Sequence, residues 1–210
     1  MMAETVVAAF DFDGTLTTAD TLTAFVRFTH GRLRFLLGVL RNAPWLMLMK
    51  LGLCPNWKAK EKLFACFYRG VSHEQFALWG STFAPVAASM LNTHTVALLR
   101  QHQADGHTAC VVTASIDEWV RPVCERLGVG IVIATRVEVS PDGILTGRFL
   151  SVRHAASHGE SVNCYGPEKV ARLLEAFPNR AAYTLYAYGD SRGDDALLAF
   201  ADVPTRIGQL

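Results

Sequence analysis

The sequence contains no C-x-x-C pair, and its five cysteines (Cys54, Cys66, Cys110, Cys124 and Cys164) are odd in number and scattered. That pattern excludes a closed disulfide framework and the usual zinc-site spacing, and it reads as small buried hydrophobes in a reducing compartment. Neither sign of charge is in excess: 20 basic and 19 acidic residues leave a formal charge of +1. A chain so balanced lacks the field that draws a protein onto nucleic acid, and none is expected as a partner. No basic segment precedes the first apolar run, which stops at Asp11, so no secretory leader and a cytoplasmic location are expected. Uncharged stretches long enough to span a bilayer are missing, as are internal repeats and low-complexity tracts. What remains, at 210 residues, is one large domain or a core with an inserted cap.

The most informative stretch is Asp11-Phe12-Asp13-Gly14-Thr15. The residues before it, Thr5 to Phe10, form a short apolar run of the kind that makes a buried parallel strand. Side chains two apart on a strand share a face, which predicts that Asp11 and Asp13 stand together at the strand's mouth. Gly14 permits a sharp turn there, and Thr15 can bond to backbone. Two carboxylates this close repel unless a cation or a shared proton relieves them. Asp and Gly are also ordinary turn residues, so the motif takes its weight from three elements downstream.

Ala109 to Ser115 is a second apolar strand ending in hydroxyl residues, and Ser115-Ile116-Asp117-Glu118 has capping-box spacing for a helix start. Thr113 and the free N–H groups there would seat a phosphate oxygen. Gly166-Pro167-Glu168-Lys169 opens a further helix with Pro in its first turn, where the macrodipole disfavours Lys169 unless an anion faces it. Tyr183 to Gly189 is a third strand, closed by Asp190 and followed by Asp194, which is placed to cap the next helix; Asp195 is expected to point away. Together these acids supply the hard oxygen ligands that Mg²⁺ prefers. His154 and His158 stand at i, i+4 with Cys164 nearby, but flanking Ser, Gly and Asn favour a loop over a second metal site.

With these motifs the chain resembles the haloacid-dehalogenase-like phosphatases, in the branch (subfamily IB) that includes phosphoserine phosphatases. The resemblance spans nearly the whole chain. It implies an α/β fold, with a Rossmannoid open parallel sheet at residues 1–18 and 95–210 and an all-helical cap, residues 19–94, inserted after the first motif. It further implies Asp11 as the nucleophile and Asp13 as the acid that protonates the leaving oxygen and later activates water. Thr113, Ala114 and Lys169, with Gly14 and Thr15, would hold the phosphoryl oxygens. Mg²⁺ would sit on Asp11, the backbone carbonyl of Asp13, Asp190 and Asp194. Dehalogenases of the superfamily lack the second Asp, so Asp13 argues for phosphomonoester hydrolysis. A non-hydrolytic phosphate-binding relative would be expected to have lost Asp11, Asp13 or Lys169, whereas a phosphotransferase would look the same.

The inserted segment carries the substrate question. Asp20 is expected to cap a helix that Gly31 ends, Pro44 to break the next one, Asn56 to open another that stops near Gly70, and Ser72 to cap a last one. Residues 33–53 are unusually apolar. Two readings stand open: core or dimer packing, or a face that lies on the inner membrane surface or admits a lipid-linked phosphate. Bacterial phosphatidylglycerophosphate phosphatases of the same branch resemble the chain there, at Tyr165 to Lys169 and at Gly189 to Asp194. Phosphoserine enzymes usually carry Gly where Ala114 stands and Asn where Gly193 stands, and hold serine with a cap acid and an Arg. Asp20 fits the acid; Arg27, Arg32 and Arg69 are the candidates for the Arg. Oligomeric state is left open.

Overall fold

The computed structural model describes residues 5–153, 160–161 and 163–208. Along the chain run β1 (Val6–Phe10), α1 (Thr21–Lys50), α2 (Asn56–Tyr68), α3 (His73–Ala88), α4 (Thr93–Ala104), β2 (Thr108–Ile116), α5 (Asp117–Arg126), β3 (Ile131–Thr135), β4 (Val137–Val139), β5 (Leu145–Phe149), β6 (Val152–Arg153), β7 (Glu160–Ser161), α6 (Pro167–Ala176), β8 (Thr184–Gly189), α7 (Asp195–Phe200) and β9 (Val203–Arg206). Five strands form a parallel sheet in the order β3-β2-β1-β8-β9. The helical insert follows β1. This is the expected α/β architecture.

Burial on both faces explains why β1 is apolar throughout. Its alternation splits the interior in two: Ala8 and Phe10 pack on the side of the inserted helices. Val7 and Ala9 pack with Leu173 and Leu197 of α6 and α7. The order of the strands reverses beside β1, so β1, β2 and β8 deliver their C-terminal ends to one crevice, where open sheets bind ligands.

In the insert, the Asp20 side chain caps α1 by accepting from Thr23 N at 2.7 Å, and Ser72 caps α3 by accepting from Gln75 N at 3.2 Å. The expected break at Pro44 is absent. Helix α1 is interrupted only at Gly31, whose φ of 78° and ψ of 166° leave the helix, and residues 32–50 continue through Pro44. Proline has the φ a helix needs, and on an exposed face its missing N–H costs one bond without a buried clash. An aromatic cluster binds the insert to the core: Phe25 of α1 stacks on Trp119 of α5 at 4.5 Å and meets Phe76 and Phe83 edge-on. Each such ring pair adds about 0.5–1.5 kcal/mol beyond area burial.

Strands β4 and β5 form the hairpin expected across Ser140 to Gly143. It clasps the insert, with Gly70 N donating to Leu145 O and Leu145 N to Val71 O. The cysteines are free thiols; Cys66 is exposed and the other four are buried. His154 and His158 lie outside the described residues. Among the described residues no helix is long and apolar enough to cross a membrane.

Candidate active site

Asp11 is the first residue past β1, its N–H still donating to Tyr188 O at 2.9 Å and its side chain buried. Strand alternation does not set Asp13, as the spacing alone suggested. The strand ends at Phe10, and residues 12–16 form a tight turn in which Gly14 takes φ 77°. A side chain at Gly14 would also overlap the Asp190 carboxylate, so glycine is required there twice over. The turn aims Asp13 at the insert. Its Oδ1 accepts from Thr21 N at 3.0 Å and Thr21 Oγ1 at 2.6 Å, and its Oδ2 accepts from Ser115 Oγ. Trp119 Nε1 fixes the Thr21 hydroxyl at 3.0 Å.

Ser115 therefore serves Asp13 rather than a helix. Strand β2 runs on through Ile116, and α5 starts one residue later than the capping-box spacing predicts, with no side-chain cap. Thr113 is buried, and its Oγ1 accepts from Ser115 N at 3.1 Å. Thr113, Ala114 and Ser115 all line the crevice. Thr15 does not: it is buried, and its hydroxyl donates to Asp190 Oδ1 at 3.3 Å, supporting that acid.

Helix α6 starts at Pro167 as expected and carries Lys169 inward until it is only 1% exposed. Its Nζ lies 2.6 Å from Asp11 Oδ1 and 2.6 Å from Asp194 Oδ1. The anion that the macrodipole argument required is thus a pair of carboxylates. Asp194 is not the expected side-chain cap of α7: its Oδ2 turns back to accept from Ser191 N and Oγ, and Ser191 caps the turn. Carboxylate oxygens of Asp11, Asp190 and Asp194 fall within 4.8 Å of one another. The Asp13 carboxylate is outside this cluster. Asp195 does point away, to Arg206.

Burial dominates the electrostatics. It pushes Asp11 up to about 6, with Lys169 opposing and Asp194 adding to the rise. Burial, with Asp20 nearby, also raises Asp13 against its hydrogen bonds from Ser115 and Thr21. Asp190 is raised by burial and by Asp194. Burial works against the charge of Lys169, but Asp11 and Asp194 outweigh it and hold the ammonium protonated. Three clustered acids with one buried cation retain an excess of negative charge, and their donors are all hard oxygen. That donor set fits a small divalent cation.

Above the acids lies a cavity of about 350 Å³. Asp11, Asp13, Gly14, Thr113, Lys169 and Asp190 form its floor, and Asp20 and Lys60 reach it from the insert. Sequence reasoning overlooked Lys60 and Thr21, and it noted Ser115 and Tyr165 without giving them the places they take here. Helical periodicity from Asn56 could have flagged Lys60 as a cation on the face of Trp57, Leu63 and Phe64; Thr21 carries no local signal, and that of Ser115 points to a helix cap. Tyr165 also explains one departure from the phosphoserine pattern, since any side chain at Gly193 would overlap its ring.

A model of the haloacid dehalogenase-like hydrolase family matches residues 8–199. Protein CicA of Caulobacter vibrioides is 36% identical over 200 residues, covering 95% of this chain and 84% of that one. A crystal structure of a Bordetella pertussis Tohama I protein of unknown function superposes with a TM-score of 0.74 at 25% identity, covering 93% of this chain and 86% of that one. A phospho-aspartyl intermediate analogue of phosphoserine phosphatase superposes with a TM-score of 0.63 at 18% identity, covering 94% and 84%, which shows a shared fold. The chain belongs to the haloacid dehalogenase-like hydrolase family.

Proposed function

We propose that the protein is a Mg²⁺-dependent phosphomonoester phosphatase working through an aspartyl phosphate on Asp11. The observation that carries this reading is the buried Lys169 set between Asp11 and Asp194, with Asp190 completing the acids. An oxygen of Asp11 attacks phosphorus, and the bond to the leaving oxygen breaks as Asp13 gives it a proton. Asp13 then takes a proton from water as that water attacks the phosphorus, which frees phosphate and restores Asp11. Burial keeps Asp13 closer to its protonated form than an exposed carboxyl, as an acid requires. Thr113, Ala114 and Gly14, which line the cavity, would hold the phosphoryl oxygens, with Lys169 drawing off their charge. Mg²⁺, held by Asp11, Asp190, Asp194 and the Asp13 carbonyl, would lower the negative charge that repels the nucleophile. Phosphoryl transfer asks chiefly for such positioning and charge stabilisation.

Residues 19–94 are proposed to act as a cap that closes over the cavity and reads the leaving group. We place that group on a lipid-linked phosphate, such as phosphatidylglycerophosphate, ahead of phosphoserine. Three observations support the order. None of Arg27, Arg32 and Arg69 lines the cavity. Asp20 is engaged as a helix cap. The cation the insert does offer is Lys60, suited to a second anionic group on the leaving side. Transfer to an alcohol instead of water would use the same residues.

The test is Mg²⁺-dependent phosphate release from phosphoserine and from detergent-dispersed phosphatidylglycerophosphate, with an aryl phosphate and Asp11→Asn as references. Selective lipid hydrolysis is expected, and preference for phosphoserine would reverse the order. Absence of release from every ester would remove the phosphatase reading.

A further inference from the structure

Helix α1 beyond Gly31 is apolar on two opposite faces. Phe35, Gly38 and Asn42 are buried, and Phe67 of α2 seats against Gly38. The other face is open: Leu33, Leu36, Leu37, Leu40, Met47 and Leu51 are all exposed, Leu33 and Leu40 at 72%. At about 100° per residue these six fall in one stripe within roughly 40–60° of its centre line. The charges obey the same geometry. Arg34 and Arg41 lie roughly 80–100° to one side of the stripe, and Arg32 and Lys50 about 100° to the other. All four are exposed. From Thr21 to Lys60 the sequence holds seven basic residues (Arg27, Arg32, Arg34, Arg41, Lys50, Lys58 and Lys60) and no Asp or Glu.

We infer that this face docks on an anionic lipid bilayer, with residues 32–50 lying in the interface plane. A leucine stripe between two basic borders lets the side chains enter the acyl boundary while the long cationic ones reach the headgroups. The helix is about 28 Å long and lies flat; it is not a span. A second copy of the chain fits the face poorly. An isologous pairing would set arginine against arginine with no acid on the face to meet it, whereas a leaflet of anionic lipid supplies the missing charge. The opposite face of the same helix packs on α2, whose Lys60 lines the cavity, so the docked helix lies between α2 and the bilayer. The inference does not depend on the phosphatase reading, because vesicle binding and turnover are separate readouts.

The full chain is mixed with vesicles of phosphatidylcholine, alone or with phosphatidylglycerol, and sedimented. Binding is expected to the mixed vesicles and to fall with added salt. The double substitution Leu36→Gln/Leu40→Gln should weaken it about tenfold or more. Arg34→Gln/Arg41→Gln should weaken it by about tenfold, and only on the anionic vesicles. Both variants should keep the melting temperature and aryl phosphate turnover of the parent, since none of the four residues touches the cavity. Absence of binding to the mixed vesicles, or binding indifferent to the leucine substitutions, would overturn the inference. So would a dimer in light scattering that the leucine variants dissociate, which would make the face a contact between copies.

Discussion

The core and the insert depart from ordinary globular design in opposite ways. The core buries charge: Asp11, Lys169 and Asp194 sit almost fully out of solvent at the ends of three elements. The insert exposes what a core would hide, a run of leucines on α1 open to solvent. Each is costly by itself. Unpaired buried charges cost several kcal/mol, and exposed apolar surface forgoes about 25 cal/mol per Å². Each makes sense when something outside the chain completes it: a cation and a phosphoryl group in the core, a lipid surface on the insert. On the function and the docking face proposed above, chemistry and address are held by different parts of one molecule. Among the described residues, Ala19, Asp20, Thr21 and Lys60 reach from the insert to the site.

The sharpest way to break that division is to remove the core cation. Lys169→Met should lower turnover by at least about 10²–10³-fold, the scale of losing one preorganised charge donor. It also leaves the acids without their counter-charge, a loss of about 3–5 kcal/mol. Its melting temperature should therefore fall in EDTA and recover more with Mg²⁺ than that of the parent. A variant equally stable in both conditions would show that Lys169 does not balance the cluster.

A smaller effect separates the acid from the nucleophile. Ser115→Ala removes one of three hydrogen bonds that hold Asp13. Turnover of alkyl phosphates, whose leaving oxygen needs a proton, should drop about tenfold, less than the roughly 10²–10⁴-fold that a whole general acid contributes, and that of nitrophenyl phosphate much less. Equal losses would count against Asp13 as the acid.

The mildest prediction concerns pH. Asp11 is raised from 3.8 to about 6, chiefly by burial, so its charged form is disfavoured in the fold. This penalty is present above about pH 6 and relieved as pH falls toward 3.8, so the group itself gains stability on acidification. Metal binding runs the other way, since it needs the carboxylate. The Mg²⁺-induced rise in melting temperature should be full at pH 7.5 and reduced several-fold at pH 5, with Asp11→Asn less sensitive to the change and Asp190, also raised, accounting for what sensitivity remains. An increment independent of pH in the parent would refute the coupling.

Much of this was legible in the sequence. Apolar strands that lead into Asp11, into the hydroxyls of Thr113 and Ser115, and into Asp190 announced the crevice, and the clustered acids and a lysine at an unfavourable helix end are local conflicts that ask for a partner. What escaped were the long-range supports. Ser115 meets Asp13 across 102 positions, and its capping-box spacing pointed to the wrong partner. Asp194 looked like a helix cap because nothing nearby in sequence shows Lys169 on its other side. Gly31 breaks the first insert helix as the sequence indicates, by adopting positive φ, but the break expected at Pro44 in the stretch that follows is absent, because a proline on an exposed helical face is tolerated. The residues from 33 to 53 were plainly apolar in sequence; that they present one stripe to packing and another to solvent needed the insert's own partners to be placed.

The most direct test of the central claim is to trap the phosphoryl group. Asp13→Asn enzyme, in which hydrolysis of the intermediate is slowed, is mixed with nitrophenyl phosphate and Mg²⁺, quenched in acid and reduced with borohydride before peptide mass spectrometry. The account predicts that the aspartyl phosphate, read as reduced homoserine, falls on Asp11 alone and is lost in Asp11→Asn/Asp13→Asn. Modification at another residue, or turnover by Asp11→Asn close to that of the parent, would contradict it.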